Sequence, residues 1–209
     1  MVRVTQHLLF VSGCALGLLH CKRSPPPEQT AQPLSTNSGA ASKGSGAVLE
    51  LATAYPTTDN IGAKRKIHLE QVSGVEAHSG PEGWKLQFEK SADFAGVCWK
   101  NKAGNEGEFP GDDLSKAGYR RISFWAKGQN GGEVAEFRAG GLGHIKTRHR
   151  DSFDVTAGKI KLNPTWSEYS MYVSDVDLSS VMTPFCVLFH SEDNADGAVI
   201  YLDDLQYRG

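Results

Sequence analysis

Two pairs of residues carry chemistry out of keeping with their neighbours. Near the C-terminus, Asp203 and Asp204 stand side by side inside the otherwise apolar run Ala198-Val-Ile-Tyr-Leu-Asp-Asp-Leu-Gln-Tyr207. The run is rich in β-branched and aromatic residues and follows Gly197, so it reads as a strand. Strand side chains alternate between faces, so one aspartate faces the core and the other faces solvent or a loop. An inward carboxylate is costly unless it is paired or holds a metal. The second pair is Glu136 and Arg138, two apart and so on one strand face, with Ala135, Phe137 and Ala139 filling the core side. Planar polar groups beside an aromatic ring suit a ligand with apolar C–H faces ringed by hydroxyls. The same pair also reads as a cross-strand ion pair on a solvated face, worth little to stability.

The aromatic partners in reach by pattern are Trp99 and Trp125. Trp125 shares a face with Ser123 and Lys127, away from Ile122, Phe124 and Ala126, and is the more exposed by pattern; Trp99 shares the face of Val97 and reads equally as core. Trp84 and Trp166 read as core or strand-edge residues. His190, in phase with Cys186 and Leu188, either lines the same face as the Glu–Arg pair or is structural.

Catalytic signatures are sparse. The chain has no nucleophile elbow and no His-Glu-x-x-His, and His144, His149 and His190 lack compact zinc spacing. Gly140-Gly-Leu-Gly143 is a turn rather than a phosphate loop, because no helix follows it. Glu106, Glu108, Asp112 and Asp113 are the acids available for a glycosidase pair, but their separation is not legible in sequence.

The elements that must position these residues are strands. Period-two alternation runs through residues 84–89, with further strands at 48–52, 67–72, 94–100, 119–127, 133–139, 159–162, 168–173, 185–190 and 198–207. Gly, Asn, Asp and Pro turns separate most of them. Helical periodicity is confined to one turn at 176–181. Many short antiparallel strands at this spacing predict an all-β sandwich or barrel. In it, Cys98 and Cys186 are either one disulfide or two buried thiols.

The N-terminal 21 residues have a basic start and the apolar run 8–19, the layout of an export signal and too short for a membrane span. Cys21 and Cys14 are the two candidate lipidation points. Cys21 is favoured because a full apolar region precedes it and a polar tether follows; an ordinary secreted protein is the alternative. Residues 22–46 form a Pro/Ser/Gly-rich linker, and 47–209 suffice for one domain. A formal net charge of −2 without a basic stripe argues against nucleic acid as a partner.

Several stretches resemble a known family in order. They are Ala95-Gly-Val-Cys-Trp99, Asp113-Leu-Ser-Lys-Ala-Gly-Tyr-Arg-Arg-Ile-Ser-Phe-Trp-Ala-Lys-Gly128, Gly131-Gly-Glu-Val-Ala-Glu-Phe-Arg-Ala-Gly-Gly141, Asn163-Pro-Thr-Trp-Ser-Glu-Tyr169 and the terminal Tyr201-Leu-Asp-Asp-Leu205. Together they are similar to carbohydrate-binding modules of the galactose-binding-like jelly-roll type. The resemblance implies an antiparallel jelly-roll sandwich and a structural calcium near the last strand, held by Asp203 with help from Glu50 on the first strand; the alternative is that Asp203 bonds backbone amides at a sheet edge, with Asp204 solvated. It also implies a glycan partner, met by Trp99, Trp125, Glu136, Arg138 and His190 on one sheet. The expected protein is a non-catalytic, glycan-binding lipoprotein of the bacterial cell envelope, held to the membrane through Cys21. An envelope protein–protein scaffold and a glycan-active hydrolase or lyase are the alternatives.

Overall fold

The computed structural model describes residues 46–209, apart from 92 and 144–146. The predicted export segment, Cys21, nearly all of the predicted linker and His144 lie outside the described residues.

The chain folds as a sandwich of two antiparallel sheets. Sheet I has the order β3 (Ile67–Ser73), β4 (Glu82–Phe88), β11 (Ala198–Arg208), β6 (Arg121–Gly128), β9 (Ser167–Tyr172), and β1 (Val48–Glu50) pairs with the far end of β11. Sheet II has the order β2 (Thr57–Gly62), β5 (Ala95–Lys100), β10 (Phe185–Phe189), β7 (Val134–Gly140), β8 (Asp154–Lys161). The all-β jelly roll is therefore as the sequence predicts, and Ala135, Phe137 and Ala139 face the core as expected. Three local expectations fail. Residues 51–54 form a single α-turn instead of extending β1, 176–181 is bend and irregular chain ending in a bridge at Val181 rather than helical, and β2 was not anticipated.

Aromatic side chains from both inner faces fill the space between the sheets. Phe124 of β6 meets Phe137 of β7 at 4.6 Å and Phe185 of β10 at 5.1 Å between ring centroids. Trp99 is fully buried against Phe185 and Trp84. Truncating a core aromatic of this kind costs about 3–5 kcal/mol.

All six residues of β5 are buried. The inward row Ala95, Val97 and Trp99 belongs to the core, whereas the outward row Gly96, Cys98 and Lys100 is covered by what lies on the outer face. Cys98 and Cys186 are direct cross-strand partners on that face and form a disulfide, which decides between the two readings of the cysteines.

Candidate functional site on the outer face of sheet II

Strand parity places Glu136 and Arg138 on the outer face of sheet II, facing away from the core. Cross-strand pairing then sets Leu188 beside Glu136 and Cys186 beside Arg138. The result is one continuous surface, with the disulfide, Leu188 and Ile61 as its apolar floor and charged groups along one side.

Those charges form a relay. Arg138 Nη2 donates to both carboxylate oxygens of Asp154, at 2.9 and 3.0 Å. Its Nη1 lies 3.5 Å from Glu136 Oε1, while Glu136 Oε2 is 2.9 Å from His190 Nε2. Lys159 continues the row, bridging to Glu192 and Asp193, and these partners raise its pKa above the ordinary lysine value. Glu136 is the more enclosed member, with 15% of its side chain exposed against 37% for Arg138. Both nevertheless keep open donor and acceptor positions toward solvent. His190 thus joins the Glu–Arg pair on one face.

The aromatic ring beside this row is Phe94, 43% exposed, with its centroid 6.2 Å from that of His190. Gly62 makes room for it. A Cβ there would stand 2.8 Å from the Phe94 ring and 2.3 Å from its carbonyl oxygen, and the backbone is already at φ +65°. Phe94 was not among the sequence candidates. Its signal was parity: it lies in phase with Gly96, Cys98 and Lys100, the outward row of β5.

Comparison with solved structures bears on what this architecture is. The family 11 carbohydrate-binding module of the cellulosomal cellulase Lic26A-Cel5E of Clostridium thermocellum is similar over 88% of this chain and 96% of its own, with TM-score 0.50 and 13% identity. The fold is the jelly roll of carbohydrate-binding modules. The family 30 module of Cel9D-Cel44B from the same organism is similar over 69% of this chain and 86% of its own, with TM-score 0.49 and 18% identity. An exo-β-agarase matches 77% of this chain with a quarter of its own length, TM-score 0.50 and 8% identity. No protein-family model matches the sequence, and no curated protein is significantly similar to it.

Within this module-like sandwich two predicted aromatic contacts are corrected. Trp99 points inward and is fully buried, so it offers no platform. Trp125, on β6 of sheet I, stands on the opposite side of the molecule from Arg138. Its face is covered by the His78 ring, 3.8 Å away and nearly parallel. Neighbouring Lys127 is likewise engaged, its ammonium lying over Trp166 and Tyr201 at 4.9 and 4.7 Å.

Of the two readings of the aspartates near the end of β11, Asp203 follows the amide-bonded one, whereas Asp204 is paired rather than solvated. Asp203 is buried (6% exposed), but it ties the last strand to the loop before β4 rather than to β1. Its Oδ2 accepts the backbone amides of His78 and Ser79 at 2.7 and 3.0 Å, and its Oδ1 accepts the amide of Asp204. Asp204, at φ +49°, accepts from the Ser79 hydroxyl and pairs with His78 Nδ1 at 2.8 Å. Glu50 bonds Gln206 across the strand pair instead. Amide N–H groups repel a cation where calcium needs six to eight oxygens. Among the described residues, moreover, no three acidic, His or Cys side chains are grouped to hold a metal. The donor set at Asp203 and Glu50 does not fit calcium.

Two of the loop acids are taken up by local hydrogen bonds. Glu108 accepts the Glu106 amide, and Asp113 accepts both the hydroxyl and the amide of Ser115. These bonds lower the Asp113 pKa, the wrong direction for a general acid.

Proposed function

We propose that the domain binds polysaccharide or cell-surface glycan on the outer face of sheet II without transforming it. The observation that carries this reading is the row Asp154–Arg138–Glu136–His190 beside the exposed ring of Phe94. A sugar's C–H face can stack on the ring while its hydroxyls exchange hydrogen bonds with the adjacent guanidinium and carboxylates. The jelly-roll likeness supports the reading at the level of fold. The proposal also places the chain at the bacterial cell envelope, anchored through a lipidated Cys21 with residues 22–46 as tether.

Surface ion pairs such as Arg138–Asp154 contribute about 1 kcal/mol or less to stability, so Arg138→Ala should leave the fold intact. Phe94→Ala likewise removes an exposed ring. On a glycan array each variant is expected to lose roughly tenfold or more in affinity, about 1.4 kcal/mol, with unchanged thermal unfolding. Binding undiminished in both variants would place the site elsewhere.

A further inference from the structure

At one end of this same face lies a cavity of about 190 Å³, lined by Lys100, Arg138, Thr183, Leu142 and the Cys98–Cys186 disulfide. Pockets for drug-sized ligands span roughly 300–1,000 Å³, so this one suits a single ring rather than a chain. Its walls are held by a buried acid. Asp151 accepts the amide of Leu142 at 2.9 Å and those of Met182 and Thr183 at 2.6 and 3.1 Å, fixing both sides of the notch.

Lys100 is the anomaly. Its side chain is 1% exposed, yet it lies on the outward row of β5, away from the apolar core. An ammonium has three donors. Its nearest partners among the described residues are Thr183 Oγ1 at 3.4 Å, a long hydrogen bond, and Glu106 Oε1 at 3.9 Å, beyond hydrogen-bond range. A buried charge left this incompletely bonded is costly. Burial pushes its pKa below the ordinary lysine value, and the nearby Glu106, Asp59 and Asp151 oppose that shift. Those three carboxylates, with Glu136 and Asp154 along the face, outnumber the cations Lys64, Lys100, Arg138 and Lys159. A second anion brought by a ligand is disfavoured there. Uncharged hydroxyls fit, because they accept from the ammonium and exchange hydrogen bonds with the Thr183 hydroxyl on the notch wall.

We propose that this notch is a one-sugar subsite for a neutral glycan, in which Lys100 donates to adjacent ring hydroxyls and sets specificity. The inference rests on the glycan-binding reading of the face. Among the described residues Lys100 has no carboxylate within hydrogen-bond range, so Lys100→Met removes a desolvated charge without breaking a bonded ion pair. Lys100→Met therefore separates binding from folding.

The test is calorimetric titration of the full chain with neutral tetrasaccharides of glucose, xylose and galactose, and with tetragalacturonate. The parent should prefer a neutral tetrasaccharide to tetragalacturonate, and Lys100→Met should weaken that binding roughly tenfold or more without lowering the melting temperature. Thr183→Val should weaken it less. Preference for tetragalacturonate overturns the neutral assignment. Parental affinity in Lys100→Met, alongside loss in Phe94→Ala, overturns the notch and leaves the groove reading standing. If Lys100→Met does not fold, the Lys100 side-chain resonance of the parent decides: movement on adding the tetrasaccharide supports the notch, and an unmoved signal overturns it. Failure of the parent to bind any glycan contradicts the groove reading itself.

Discussion

Replacing Cys98 and Cys186 together by alanine is expected to cost about 4 kcal/mol in denaturant unfolding, the largest effect of any change outside the aromatic core. The two cysteines are 88 residues apart, so the bridge closes a long loop and strongly restricts the unfolded chain. It also joins the two central strands of sheet II, β5 and β10, on the face where Arg138 and Lys100 stand. Glycan affinity should therefore fall with stability, since Leu188 and the notch floor depend on that pairing. A loss below about 1 kcal/mol would show that the ladder between β5 and β10 suffices without the bridge.

Asp203→Ala is the second large effect, expected to cost about 3 kcal/mol because it strands three backbone amides at once. Asp204→Ala should cost about 1 kcal/mol or less, since its bonds are partly exposed and its left-handed backbone already carries strain. Asp204→Gly should recover part of even that. Urea denaturation of the variants measures the difference, and equal losses would contradict the clasp described here. Because amides satisfy the carboxylate, millimolar calcium should leave the melting temperature unchanged. A calcium-dependent rise would restore the metal reading of Asp203, since binding to the native state alone must stabilise it.

Much of the fold was legible because one face of most strands is apolar. Alternation through Trp84, Leu86 and Phe88, and through Ala135, Phe137 and Ala139, marks the inward rows directly. β2 escaped because Thr57–Gly62 is an edge strand whose residues are only half covered, so its pattern is polar on both faces. The first half of β8 escaped because a bulge opposite Phe137 and Arg138, next to Gly158, breaks the alternation.

The site was harder to read than the fold. Parity placed Glu136, Arg138 and His190 on one face correctly, because Glu136 and Arg138 lie in β7 with its apolar inward row and His190 directly follows β10 in phase with Cys186 and Leu188. It did not tell which sheet Trp125 belonged to, and the sandwich put that ring on the far side from Arg138. Lys100 read as an ordinary strand-end lysine, because nothing in sequence shows that loops from elsewhere close over it. Phe94 opened a predicted strand without being read as a ligand contact, and only the room that Gly62 leaves shows its ring standing beside His190.

The central claim is that the outer face of sheet II grips glycan through Arg138 and its neighbours. Its most direct test is a glycan array probed with the full chain and with Arg138→Ala. The parent should be retained on at least one polysaccharide and the variant on none. No retention of the parent, or equal retention of both, would contradict it.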